Sequence, residues 1–220
     1  MNRLIRFVVV SGLVLFVSAL PAFADSFNVT LNTSTSTLTG TQALAFEFVD
    51  GDGAVNNSVT LSDFSLGGGS TTGGADYLGT TGVSGDLSGT ITMNDSGSLA
   101  LFTQDIDLGS TISFVLTTTN NFAGTTPDGF VMELCASDLS SCYSDAADGS
   151  LLVLPLSGTG LTPSSFTLTG DSADNLPAPT VTAASGTAPV PEPSSLMLMA
   201  SGLLTASLFL RRSNARVGRQ

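Results

Sequence analysis

Oxygen-bearing side chains offer the first candidate chemistry in this sequence. The segment FVDGDGAVNNS places Asp50, Asp52 and Asn56 directly after an apolar stretch. Alternate Asp residues separated by Gly can wrap oxygen atoms around a hard cation, so the segment predicts a calcium site, the one cofactor that the sequence suggests. The EF-hand pattern fails, because Val55 stands where that loop requires Gly. A Gly/Asp hairpin turn explains the same residues, and both interpretations stay open.

Nucleophiles that are activated by His or Lys are excluded by composition. The chain has no His, and its six basic residues are all Arg. Ser-His and Cys-His triads and Ser-Lys pairs therefore cannot be assembled. The 18 acidic residues could supply the two carboxylates of a glycosidase, but no feature of the sequence distinguishes one pair. We expect a protein that is not an enzyme.

The two Cys residues, Cys135 and Cys142, are the only pair in the chain. A redox motif would place them closer together, and a zinc site would need more ligands than the chain has. In an oxidising compartment an even number of Cys favours a disulfide. We therefore predict a structural Cys135–Cys142 disulfide that closes a turn after a strand.

Charge is distributed very unevenly. The formal net charge is −12, every acidic residue lies between Asp25 and Glu192, and no Lys or Arg lies between Asp25 and Leu210. A body without any cationic side chain repels nucleic acid phosphates and anionic membrane surfaces. Nucleic acid is therefore excluded as a partner.

The body of the chain predicts an all-β fold. Apolar and polar residues alternate in about nine short segments, and clusters of Gly, Asp, Asn and Thr separate them. Such a pattern over residues 25–170 predicts a two-sheet β-sandwich or jelly-roll ectodomain. The predicted strands are Phe27–Leu31, Leu44–Phe48, Ser58–Phe64, Leu87–Met93, Leu99–Ile106, Thr111–Leu116, Phe130–Leu134, Leu151–Leu156 and Ser165–Thr169.

A change in composition follows the predicted ectodomain. Residues 171–189 are rich in Pro, Ala, Thr and Ser and show no alternation of apolar residues. This composition predicts a disordered, flexible or polyproline-like linker.

The N-terminus predicts a secretory signal peptide over residues 1–24. Arg3 and Arg6 precede an apolar stretch that runs from Phe7 to Leu20, and the segment ends in Ala22-Phe23-Ala24. Signal peptidase requires this small-x-small pattern, so we expect it as a partner and expect the mature protein to begin at Asp25. The apolar stretch is too short for an ordinary membrane-spanning helix.

The C-terminus has three parts in a fixed order. Val190, Pro191, Glu192 and Pro193 precede an apolar segment, and Arg211 and Arg212 follow it. The apolar segment predicts one transmembrane helix over about residues 194–210. By the positive-inside rule the Arg pair and the tail at 213–220 stay cytoplasmic, which leaves the ectodomain outside the inner membrane.

This C-terminal arrangement, over residues 190–212, resembles the PEP-CTERM sorting domain. The resemblance assigns Pro191, Glu192 and Pro193, after Val190, to the recognition motif and the Arg pair to the basic stop. It implies processing by exosortase, a membrane-embedded cysteine transpeptidase of Gram-negative bacteria, and delivery to the cell surface or extracellular matrix with exopolysaccharide. The tail after the Arg pair is longer than the few residues usual in the family.

The body also resembles an uncharacterised group of PEP-CTERM proteins with a DGDG motif. The matching residues are Asn28–Leu31, Leu44–Gly53 and Thr119–Phe122. The resemblance brings no assigned activity.

Two functions are compatible with these features. The first is a non-catalytic surface or matrix protein that exosortase processes. The second is a calcium-dependent carbohydrate-binding β-sandwich, in which aromatic residues near turns stack on sugars: Phe64, Tyr77, Phe122 and Tyr143. The same aromatics could instead cap the hydrophobic core.

Overall fold

The fold is all-β in the computed structural model, which describes residues 24–78 and 80–184. Twelve strands and one short 3-10 turn at Pro163–Ser165 make up its regular structure. The strands are β1 (Ala24–Asn32), β2 (Thr41–Val49), β3 (Ser58–Ser65), β4 (Ser70–Thr71), β5 (Val83–Ser84), β6 (Ile91–Asn94), β7 (Leu99–Asp107), β8 (Thr111–Thr119), β9 (Asp128–Ala136), β10 (Leu152–Leu156), β11 (Thr167–Leu168) and β12 (Thr180–Ala183).

The strands form two six-stranded antiparallel sheets. The first sheet has the order β12-β1-β8-β3-β6-β5, and the second has the order β11-β10-β9-β2-β7-β4. Each of the nine predicted strands overlaps an observed one. The sequence pattern did not reveal β4, β5 and β12, because strands of two to four residues are too short to show an alternation.

Alternation along the strands builds the core. In β8 the residues Ile112, Phe114, Leu116 and Thr118 are buried, and the residues between them are partly exposed. Buried apolar side chains from both sheets form one hydrophobic cluster. Within it Phe46 of β2 and Phe114 of β8 meet edge to face, with ring centroids 5.4 Å apart. This geometry between the two sheets adds to the hydrophobic stabilisation of the core.

A β-bulge in β3 changes which of its last residues point toward the core. The register against β8 shifts between Ser62 and Ser65, and Asp63 adopts a positive φ of 54°. Without the extra residue Asp63 would point inward, because side chains alternate along a strand. The bulge instead turns Phe64 toward Phe46, at a centroid distance of 6.2 Å, and leaves Asp63 exposed.

The predicted linker is wrong in its N-terminal part. Asp171 forms a β-bridge with Leu176, which is buried in the core, and β12 pairs with β1 through four residues. Ala184 still donates a hydrogen bond to Ser26. The domain therefore continues to Ala184 instead of ending at residue 170. Composition did not predict this strand, because a polar strand at the edge of a sheet is held mainly by backbone hydrogen bonds to its neighbour and buries few side chains.

The predicted Leu87–Met93 strand is shorter than expected. The strand β6 begins only at Ile91, and Leu87 reaches the core from the preceding turn. The backbone N–H of Leu87 donates to Oε1 of Gln104, a side chain that satisfies the turn in place of a neighbouring strand.

Several predicted segments lie outside the described residues. They are the signal peptide apart from Ala24, the transmembrane helix at 194–210, the sorting residues and the tail at 213–220. In the described part of the chain, no helix has both the length and the apolar character needed to span a bilayer.

Candidate functional site

Three carboxylates meet at one end of the domain. Oxygen atoms of Asp50, Asp52 and Asp128 lie within 4.8 Å of one another. The first two follow β2 and the third begins β9, its neighbour in the sheet. Antiparallel pairing brings the end of one strand beside the start of the next, which is why residues so distant in sequence converge here. We call these three residues the acidic cluster.

Asp128 is the centre of the acidic cluster and is fully buried. Its Oδ1 accepts hydrogen bonds from the backbone N–H of Gly51, at 2.8 Å, and of Asp52, at 3.3 Å. Its Oδ2 accepts one from Nδ2 of Asn57 at 2.7 Å. A buried carboxylate requires such donors, and these fix the β2–β3 loop against β9.

Asp52 joins two loops. Its Oδ1 accepts from the backbone N–H of Ala54 at 2.8 Å, and its Oδ2 accepts from that of Ala123 at 2.7 Å. The hydrogen bond from Ala123 is the main reason that the pKa of Asp52 lies below its usual value, and the bond from Ala54 acts in the same direction. The carboxylate therefore stays charged at neutral pH.

Asn56, the third residue of the predicted calcium segment, lies beside the cluster. Its Nδ2 is 3.5 Å from Oδ2 of Asp52, which is at the limit of a hydrogen bond. Its Oδ1 is buried and has no partner among the described residues. A buried amide oxygen without a donor is uncommon in folded proteins and needs an explanation.

Asp95 holds the backbone of the same loop. Its Oδ2 accepts from the backbone N–H of Asn56 at 2.9 Å and of Asn57 at 2.7 Å. Its side chain is buried, and its Oδ1 has no partner among the described residues. Among the described residues no cationic side chain compensates these carboxylates, because no Lys, Arg or His lies between Asp25 and Leu210.

The sequence pattern missed Asp128 and Asp95 as parts of this end of the domain, whereas Asn57 belongs to the segment FVDGDGAVNNS that predicted the calcium site. Asp128 stands in the turn sequence TTPDG and Asp95 in NDSG, so both resemble ordinary turn residues. Only strand pairing shows that they are neighbours of Asp50 and Asp52.

The predicted disulfide is confirmed. Cys135 of β9 is bonded to Cys142, and the two residues also form a β-bridge. It closes the turn between them, as predicted. Oε2 of Glu133 lies 3.9 Å from the Sγ atom of each Cys.

Glu133 belongs to a second group of carboxylates. This group lies on the second sheet, on the face that points away from the core. Partial burial, and then the charges of Glu47 and Asp148, raise the pKa of Glu133 to about 7. Burial and Asp148 also raise the pKa of Glu47. The pKa of Asp148 is lowered, because the hydroxyl and the backbone N–H of Ser150 donate to it. Glu133 is therefore about half protonated near neutral pH.

The four aromatic residues considered for sugar stacking do not form a platform. Phe64, Tyr77 and Tyr143 are partly buried and pack against the core. The hydroxyl of Tyr77 donates to the backbone carbonyl of Gly85 at 2.9 Å. Phe122 alone is exposed, at 41%, and it precedes Ala123, whose N–H binds Asp52.

Comparison with known families gives one match. The PEP-CTERM protein-sorting motif model matches residues 189–213. The chain carries a PEP-CTERM motif. The match confirms the resemblance of the C-terminus, and it contains Val190, Pro191, Glu192, Pro193, Arg211 and Arg212. No curated protein and no solved structure matched the chain, and the resemblance of the body to a group with a DGDG motif is not confirmed.

The PEP-CTERM motif indicates how this protein is handled in the cell. It marks a secreted protein that is anchored in the membrane before processing and that exosortase recognises and processes. Exosortase is therefore the processing partner.

Proposed function

We propose that this chain is a non-catalytic β-sandwich protein of the cell surface or extracellular matrix, exported through a signal peptide and associated with exopolysaccharide. The observation that carries the proposal is the PEP-CTERM motif, attached to a folded all-β domain. The two six-stranded sheets and their common hydrophobic cluster support a sandwich architecture.

The absence of catalysis is supported by the chemistry of the side chains. The sequence has no His or Lys to activate a nucleophile. Glu133, with a pKa of about 7, has the acidity of a general acid. However, it packs against a disulfide, and two grooves on the described part of the domain both lack Glu133 and Glu47 in their linings.

Processing is tested by mass spectrometry of the mature protein from cells with and without exosortase. We expect exosortase to remove the Arg211–Arg212 end, and we expect Glu192→Ala to prevent this because the motif then lacks its only carboxylate. Thr187→Ala, just before the matched residues, is the control and should be processed normally. An intact C-terminus in both strains would contradict the proposal.

A calcium site at the acidic cluster is a second candidate function. The structure supports it by adding the buried Asp128 to Asp50 and Asp52, and by leaving the Oδ1 atom of the adjacent Asn56 without a partner. Carboxylate and amide oxygens are the ligands that Ca²⁺ prefers. Among the described residues, Phe122 is then the exposed aromatic that could contact a sugar held by the ion.

Calcium binding is tested by thermal unfolding at constant ionic strength, with Ca²⁺ or Mg²⁺ added. We expect Ca²⁺ to raise the Tm of the wild type more than Mg²⁺ does, since binding to the folded state stabilises it. Asp50→Asn keeps an acceptor for Gly53 but removes a charged ligand, so it should abolish this difference.

The matched control is Asp86→Asn, which changes a similar turn carboxylate outside the cluster. It should respond to Ca²⁺ as the wild type does. Equal responses to Ca²⁺ and Mg²⁺ in the wild type would show charge screening only. A glycan array with Ca²⁺ and with chelator then tests sugar binding.

A further inference from the structure

A second feature of the domain is a groove on the outer face of the second sheet, the one with the order β11-β10-β9-β2-β7-β4. Its volume is about 250 Å³. Its floor contains Ala43 of β2 and Thr103 of β7, which are buried although they lie on the side of the sheet that faces away from the core. Two loops cover them, one around Asp76 and one at the disulfide.

The two loops are firmly attached to the sheet. Asp76 exchanges two backbone hydrogen bonds with Thr103, each 2.8 Å long. On the other side, the disulfide closes the turn that contains Leu139, and the N–H of Leu139 donates to the carbonyl of Ala136. The groove between them is therefore a preformed feature of the fold.

Two leucines form the apolar sides of this groove. Leu78 is 43% exposed and Leu139 is 39% exposed, and neither belongs to the core cluster. Both adopt a positive φ, 45° for Leu78 and 59° for Leu139. We call this feature the Leu78–Leu139 groove.

Leucine is unfavourable for the stability of the fold at both positions. A residue with a Cβ in the left-handed region costs about 1 kcal/mol or more, and turns favour Gly or Asn there. Exposure of a large apolar side chain brings no compensation from the core. Strained residues of this kind concentrate at ligand-binding sites. Two such leucines lining one groove indicate that their side chains serve a contact outside the domain.

The charges at the groove restrict what can enter it. Asp76 is exposed and Asp105 is partly exposed, and both line the groove. Within the described residues, no hydrogen bond to the carboxylate of Asp105 is found. An anionic ligand would meet only negative charge, because the domain has no cationic side chain.

The size of the groove restricts the occupant further. Small-molecule sites usually measure about 300–1,000 Å³, so a groove of about 250 Å³ suits a single long side chain better. Lys and Arg combine an apolar stem with a charged head, and they bury the stem along apolar surface.

We propose that the Leu78–Leu139 groove binds a Lys or Arg side chain from a basic segment of a partner protein. The methylene stem lies between Leu78 and Leu139, above Ala43. The cationic head pairs with Asp105 and Asp76. This site gives the exported domain a specific protein contact that neither the sorting motif nor the acidic cluster provides.

The test uses the full chain and a blocked tetra-arginine peptide, with binding measured by calorimetry and by the NMR shifts of Leu methyl groups. We expect binding to shift the methyl signals of Leu78 and Leu139. The same peptide with citrulline in place of Arg keeps the shape but lacks the charge, and it should not bind.

The decisive variant is the double substitution Leu78→Asn and Leu139→Asn. Because Asn tolerates a positive φ, the Tm of this variant should equal or exceed that of the wild type, while its Kd for the peptide rises at least tenfold. Asp105→Asn should weaken binding at least threefold. Asp63→Asn, at the exposed bulge of β3 on the other sheet, should leave it unchanged.

Three results would overturn the proposal. The first is wild-type affinity in the double variant. The second is a loss of affinity in Asp63→Asn equal to that in Asp105→Asn, which would show diffuse electrostatic attraction. The third is a clear fall in the Tm of the double variant, which would show that the leucines stabilise the fold.

Discussion

At the scale of single residues, the main feature of this domain is that its carboxylates are stabilised without any cationic side chain. Asp128 and Asp52 use backbone N–H groups, and Asp128 also uses an Asn side chain. Hydrogen bonds to the charged form lower a pKa, as at Asp52. Glu133 has no such donors, so burial keeps it partly protonated.

We therefore predict that Glu133 makes the free energy of unfolding of the domain depend on pH. Its pKa in the folded state, about 7, lies above the ordinary value of 4.5. Folding favours the neutral form of Glu133. The contribution of this residue to the stability of the fold is therefore complete below pH 4.5 and is lost as the pH rises to 7 and above. The Glu133→Gln variant has no titrating carboxyl at this position, so it should not show this loss. The free energy of unfolding of the wild type, measured relative to that of the variant, should therefore fall by about 1–2 kcal/mol over that pH range, after allowance for solvent screening.

Urea unfolding at a series of pH values and fixed ionic strength measures this difference. Asp63→Asn, at the exposed bulge of β3, is the control and should run parallel to the wild type. A constant difference between the wild type and Glu133→Gln would show that Glu133 does not titrate in this range.

At the scale of elements, the C-terminal part of the domain is the least expected result. The strand β12 covers the edge of β1, and Leu176 fills the core just before it. Edge strands of this kind are hard to recognise from sequence, because their outer face and their free edge are both solvated. The bulge in β3 is equally local and equally decisive, since it determines that Phe64 faces the core and Asp63 faces water.

Removal of this part should destabilise the domain. We expect a fragment of residues 24–170 to unfold at a lower urea concentration than one of residues 24–186. Burial of Leu176 alone contributes about 1.5–3 kcal/mol, and the loss of β12 exposes an unpaired edge of β1 that promotes association.

Urea unfolding and light scattering of the two fragments give the measurement. Leu176→Ala in the longer fragment separates the core contribution from that of the strand. Equal unfolding midpoints for the two fragments would show that residues 171–186 do not belong to the cooperative unit.

At the scale of the whole molecule, we expect added salt to stabilise an acidic domain that has no cationic side chains. Like charges on the surface repel one another in the folded state, and added ions screen this repulsion. We expect NaCl, raised from 10 to about 300 mM, to stabilise the domain by about 1 kcal/mol, or about 2–4 °C in Tm for a domain of this size.

Differential scanning calorimetry of the full chain measures this effect. A Tm that does not change with NaCl would mean that the charges are too far apart to interact. The result also sets the baseline for the calcium experiment, because a specific ion effect must exceed that of NaCl at equal ionic strength.

The sequence by itself determined the C-terminal sorting motif, the all-β class and the disulfide. The signal peptide and the absence of nucleophile chemistry stay predictions. These features depend on residue types and on short periodic patterns, which can be read from a continuous stretch of chain. The PEP-CTERM motif is such a stretch, and so is each of the longer strands.

Only the tertiary structure decided which distant residues meet. It brought Asp128 to Asp50 and Asp52, paired β12 with β1, and placed Leu78 and Leu139 in the lining of one groove. These contacts depend on strand order and register, which arise from how two sheets bury their apolar faces together. A local pattern carries the tendency to form a strand, but it does not carry the identity of its neighbour.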